Sequence, residues 1–117
     1  MTSVADIRGF HAHVYFDPTT RGTAERIHET LARQLGINVG ALHERPVGPH
    51  AKGMFQVTIE PQQFAKVVPW LMVNRSGLSV LVHPTTDDIV ADHDTNPLWM
   101  GESLPIDVDF LRRHIGA

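Results

Sequence analysis

Residues Phe10 to Asp17 read FHAHVYFD, and the stretch alternates strictly. In an extended chain Phe10, Ala12, Val14 and Phe16 share one face, while His11, His13 and Tyr15 share the other. In a helix, residues two apart point in widely different directions, so neither set would stay together. The segment is therefore a strand with two unlike neighbours. One side needs a hydrophobic core, and the other must accommodate two imidazoles and a phenol.

The rest of the chain supplies that core. From Thr23 to Leu35, Ile27, Leu31 and Leu35 recur at helical spacing, and Gly36 is a good stop. Ile37, Val39 and Ala41 alternate into His43 as a second strand. Arg45 to His50 (RPVGPH) is a loop, and Gly53 to Glu60 (GMFQVTIE) alternates again as a third. Pro61 opens a second helix carrying Phe64, Val67, Val68 and Leu71, with Pro69 inside it as an expected kink or early stop. Leu78 to Val82 is the fourth strand, ended by His83-Pro84. The polar remainder from Thr85 is expected to be an ordered tail or lid, with a short element around Ile106 to Leu111.

The order strand–helix–strand–strand–helix–strand is the split βαβ arrangement of ferredoxin-like folds: α+β, with both helices on one face of a four-stranded antiparallel sheet. The opposite face, bearing His11, His13, Tyr15, Gln56 and Thr58, needs a cover. A partner subunit or the tail can provide it, and a homodimer is expected. One domain over 1–117 accommodates the whole pattern.

Composition removes several function classes. There is no cysteine, so disulfides, thiolate metal sites and cysteine nucleophiles are excluded, and any metal must be held by imidazole, carboxylate or water. The formal net charge of -3, with acids and bases interspersed, offers no basic stripe for nucleic acid. No stretch reaches the roughly 18 apolar residues of a membrane span. The polar N-terminus, MTSVADIRGF, does not read as a signal peptide, and a cytoplasmic location is expected.

The eight histidines carry the chemistry. His11 and His13 form H-x-H on a strand, so both rings project the same way. In a ferredoxin-like sheet the first strand runs antiparallel to the fourth, which makes His11 and His83 expected cross-strand neighbours, with Cβ atoms roughly 5 Å apart. His50 follows Gly48-Pro49 in a turn, and His93 lies between Asp92 and Asp94. Imidazole binds borderline metals and moves protons near neutral pH. His28, His43 and His114 read as ordinary surface or strand-end residues. A two-histidine phosphoesterase would need paired H-x-[ST] motifs, and His83-Pro84-Thr85 supplies only one. A non-catalytic dimeric αβ-barrel holding a small ligand or structural metal is the other alternative.

Taken in order, HAHVYFD, GPH, LSVLVHP and DHDTNPLWMGE resemble the DOPA 4,5-dioxygenase family from about Phe10 to Leu111. The resemblance implies a ferredoxin-like, often dimeric fold and extradiol cleavage of a catechol ring with O2. Non-haem Fe(II) is the implied cofactor, with Zn(II) a possible occupant after purification. It points to His11, His13, His50, His83 and His93, together with Tyr15 and Trp99. Within that set His11, His50 and His83 are the expected metal ligands, and His13, His93 and Tyr15 the expected acid/base groups. Trp99 and Arg45 are the expected substrate contacts, as an aromatic wall and a carboxylate clamp. A carboxylate ligand would have to come from Glu44, Asp92 or Glu102. Where the family pattern has GPHP, this chain has Gly48-Pro49-His50-Ala51, which predicts a looser loop around His50.

Overall fold

The computed structural model describes residues 1–114; the last three residues of the expected 1–117 domain lie outside the described residues. Its elements are β1 (Gly9–Tyr15), α1 (Arg21–Glu29), β2 (Asn38–Val39), β3 (Met54–Ile59), α2 (Phe64–Asn74), β4 (Val80–Thr85), α3 (Ile89–Asp94), β5 (Leu98–Met100) and α4 (Val108–His114). They form one antiparallel sheet of order β2-β3-β1-β4-β5. The ferredoxin-like β1–α1–β2–β3–α2–β4 order is present. The tail adds a fifth strand to the four expected, and two short helices.

The alternation in β1 sorts the two sides of the sheet. Ala12, Val14 and Phe16 join Phe55, Val57, Ile59, Val80 and Val82 in the main core, packed against Ala24, Ile27 and Leu31 and against Val67, Val68 and Leu71 from α2. Tyr15, Met54 and Leu81 form a second, smaller apolar cluster on the opposite face, covered by Val47, Trp99, Leu104 and Ile106. The cover at that end of the face thus comes from the 43–53 loop and the chain's own tail.

Several boundaries differ from expectation. α1 starts at Arg21 and passes into a π-helical turn over Thr30–Gln34 before Gly36 ends it. β2 shrinks to two residues, with His43 bridging Met54 separately. Pro69 is exposed on α2 and does not shorten the helix, which runs to Asn74. β4 begins at Val80, later than expected, and continues through His83 and Pro84 to Thr85. The reason is local. The Thr85 carbonyl accepts the Arg8 N–H on the β1 side at 2.9 Å, so the backbone of Pro84, one residue earlier, faces outward. β5 pairs only with Val80–Val82, so Pro84 lacks a ladder donor only where β4 has no partner strand.

The face assignment predicts a contrast between adjacent residues of α2. Leu71→Ala, at a fully buried position, lowers the free energy of urea unfolding by about 2–5 kcal/mol. Met72→Ala, 52% exposed, changes it by less than about 0.5 kcal/mol. Equal losses would contradict the packing described.

Candidate metal centre

The strand registers bring the histidines together. β1 lies between β3 and β4, with His11 opposite His83, His13 opposite Leu81 on one side, and His11 and His13 opposite Thr58 and Gln56 on the other. Ligand-competent atoms of His11, His13 and His83 all lie within 4.8 Å of one another. His13 and His83 are buried and His11 is half-buried.

His50 and His93 approach this group from outside the strands. Gly48 takes a φ of 56°, a left-handed conformation open to glycine at little cost, and starts the turn closed by His50 N–H to the Val47 carbonyl at 3.1 Å. The tail pins that turn through Asp107 N–H to the Pro49 carbonyl at 2.9 Å, so Ala51 does not leave the loop unsupported. At the far end of the loop, Gly53 passes so close to the His43 carbonyl that a Cβ would lie 2.6 Å from it. The His50 ring ends 4.1 Å from that of His13, with Nδ1 2.8 Å from the Tyr15 hydroxyl. His93 sits on α3, whose first turn is capped by Asp88, and its ring lies 4.0 Å from that of His83.

Hydrogen bonding constrains the proton positions. A carbonyl can only accept, so His83 Nδ1–H donates to Pro84 O at 2.8 Å and His93 Nδ1–H donates to Ile89 O at 2.9 Å. Each neutral ring is left with an Nε2 lone pair. His13 Nε2 lies 3.1 Å from His83 Nε2, while buried His13 Nδ1 has no hydrogen-bond partner among the described residues. No tautomer of His13 satisfies every nitrogen. With the proton on Nε2, Nδ1 is a stranded acceptor; with it on Nδ1, two lone pairs face each other. A buried unsatisfied polar atom costs about 1–3 kcal/mol; a cation between the facing Nε2 lone pairs removes their repulsion, and His13 Nδ1–H still has no partner among the described residues. Two nitrogens 3.1 Å apart, each about 2.1 Å from one ion, would subtend about 95°. The donor set therefore fits a borderline divalent metal.

Burial keeps His11, His13, His50 and His83 uncharged. Desolvation is the main cause in each case, reinforced by neighbouring histidines. It lowers His83 to about 3 and His50 to about 4, holds His13 well below the ordinary imidazole value, and lowers His11. At neutral pH the lone pairs are available without competition from protons. Burial also pushes the Tyr15 phenol up, so it remains an O–H group.

The remaining expected residues fall in different places. Trp99, opposite Leu81 on β5, stacks on Tyr15 at 5.9 Å and anchors the tail over this face. Arg45 is exposed on the rim of a surface cavity of about 500 Å³, lined also by Arg21, Leu42, His43 and Val47, and is not among the clustered rings. No carboxylate joins the histidine group among the described residues. Asp92 is buried but accepts both the N–H and the hydroxyl of Thr86, at 2.8 and 2.7 Å. Glu44 is exposed and paired with Arg21, and Glu102 is exposed. His28 binds the Gly40 carbonyl from α1, and His43 and His114 are exposed. The Asp92–Thr86 clamp, which locks the segment before α3, was not expected; the only sequence signal was a Thr six residues ahead of an Asp.

A family model, the Dopa 4,5-dioxygenase family, matches residues 10–110. The chain belongs to that family. Among curated relatives, an uncharacterized 21.2 kDa protein of Botryotinia fuckeliana is 36% identical over 92% of this chain and 66% of its own length. The DOPA 4,5-dioxygenase of Amanita muscaria is 30% identical over 89% of this chain. The chain spans half the length of that enzyme and about two thirds of the Botryotinia protein. A crystal structure of a "putative dioxygenase" from Nostoc punctiforme superposes with a TM-score of 0.93 at 49% identity, covering 97% of this chain and 98% of the other. The DOPA 4,5-dioxygenase-family chain described here therefore shares both its fold and most of its length with a solved bacterial relative. Among its described residues no helix is long and apolar enough to cross a membrane.

The lowered imidazole values carry a consequence for stability. Between pH 6.5 and the native-state values, the unfolded chain binds more protons than the native one, so acidification favours unfolding. The contribution is fully present above pH 6.5 and is lost progressively as pH falls toward about 4 for His50 and about 3 for His83. The urea midpoint of metal-free protein falls between pH 7 and pH 5, and the fall is shallower in His83→Gln. A midpoint constant over that range would contradict burial of neutral rings.

Proposed function

We propose that the chain is a non-haem metal-dependent dioxygenase that opens a catechol-type ring with O2. Its substrate is DOPA or a related dihydroxyphenyl compound, and Fe(II) is its working metal. The observation that carries this reading is the convergence of His11, His13 and His83 on a half-open sheet face in a member of this family. These three would hold the ion and leave coordination positions for small ligands. When bound, the ion supplies Lewis acidity toward the catechol oxygens and the redox chemistry toward O2.

The ligand set differs in one place from the expected His11, His50 and His83. In this reading His13 stands where His50 was expected, because ligand-competent atoms of His11, His13 and His83 lie within 4.8 Å of one another. The proton work then falls to His93. His93, its Nδ1–H fixed on Ile89 O, presents an Nε2 lone pair and acts as the base for a catechol hydroxyl. Having taken that proton, the charged His93 is the acid that returns it, while His50 and Tyr15, hydrogen-bonded to each other at 2.8 Å, orient one another beside it. Trp99 walls the tail side.

Anaerobic loading with Fe(II), followed by catechols and air-saturated buffer, tests the reading. O2 uptake should match the formation of a yellow ring-opened product. His11→Ala and His83→Ala should each lose at least about 100-fold in rate, more than the loss of a mere supporting group around a metal. If no catechol drives uptake above that of His11→Ala, the proposal fails, and retained Zn(II) binding without turnover would favour the non-catalytic metal-binding alternative.

A further inference from the structure

Exposure along the functional face of β1 has a direction. Tyr15 is 1% exposed and His13 2%, while His11 is half-buried. At the Tyr15 end, Val47, Leu104, Ile106 and Trp99 close the face. On the β4 side, His83 and His93 are both buried. The remaining side is β3, where Thr58 stands opposite His11 and Gln56 opposite His13, both half-buried. Directly paired side chains on one face of antiparallel strands have Cβ atoms about 4.5–5.5 Å apart, so these two polar groups border the triad.

Their hydrogen-bonding capacity is largely unspent. Gln56 Nε2 donates to Thr58 Oγ1 at 3.4 Å, a long bond. That leaves the Gln56 carbonyl oxygen, one of its N–H groups and the Thr58 O–H without a protein partner among the described residues. Beyond them the lane continues to Asn38, opposite Thr58 on β2 and exposed. At the other end the floor is apolar: Tyr15, Met54 and Leu81.

We infer that Gln56 and Thr58 are specificity-determining residues that hydrogen-bond a polar ring substituent of a catechol entering over β3. The inference rests on the proposed catechol reading and adds to it which substrates are preferred: catechols with a hydrogen-bonding substituent over unsubstituted catechol. The two hydroxyls of either ring face the imidazoles. Only a substituted ring reaches the amide and hydroxyl on the neighbouring strand.

The test is a binding titration rather than turnover. Zn(II)-loaded protein is titrated with 4-nitrocatechol, whose visible absorbance reports binding, and unsubstituted catechol is measured by competition. Gln56→Leu and Thr58→Val keep the side-chain volume and remove the polar atoms. Each should weaken 4-nitrocatechol about 5–20-fold, as loss of a hydrogen bond implies, and leave catechol and Zn(II) affinities within about twofold. Gln56→Glu, which removes the donor and adds a negative charge, should weaken 4-nitrocatechol further and serves if either apolar variant misfolds. Unchanged 4-nitrocatechol affinity, or an equal loss for both ligands, overturns the inference while leaving the catechol reading intact. Wild-type protein that binds neither ligand overturns the catechol reading itself, and the inference falls with it.

Discussion

The structure depends on the register of β1 between its two antiparallel neighbours. Because side chains alternate with period 2, a slip of one residue would turn His11, His13 and Tyr15 into the helix-packed core and expose Ala12 and Val14. The apolar face holds that register in place. Ala12 and Val14 are fully buried among the valines and Phe55 of the flanking strands and the residues of both helices, so any slip breaks the core before it moves a histidine. The same pairing sets His11 opposite His83 and His13 beside Gln56. Site geometry is thus a by-product of core packing on the other side of the sheet.

A second constraint is electrostatic. Five imidazoles crowd one face, four of them buried. Charged, they would repel one another in a medium that solvates them poorly, and the lowered proton affinities of His11, His13, His50 and His83 express that cost. The fold ties two of the Nδ1–H groups to backbone carbonyls and one Nδ1 to a phenol. His13 is the exception. Its stranded Nδ1 and the close approach of its Nε2 to that of His83 mark where the neutral arrangement is least comfortable, and that is where a cation fits best.

Much of this was legible in the chain. The two faces of FHAHVYF, the pairing of the first strand with the fourth, and the His11–His83 contact follow from periodicity and topology alone. The turn at Gly48-Pro49 likewise predicts that His50 is presented from a loop. What was not legible depends on tertiary contacts with weak local signals. β5 has three residues and exists because β4 offers an unpaired edge over Val80–Val82. β4 runs through Pro84 because the edge runs out there. The grouping of His13 with His11 and His83 depends on how the side chains are turned in the folded sheet, which no spacing reveals. Arg45 reads as a clamp from its residue type, yet the fold places it on a separate surface cavity.

The most direct measurement is anomalous diffraction at the iron edge from crystals grown anaerobically with Fe(II). The account predicts one strong peak bonded by nitrogens of His11, His13 and His83, with His50 still hydrogen-bonded to Tyr15. A peak held by His50 in place of His13, or iron bound at a site that excludes these strands, would contradict it.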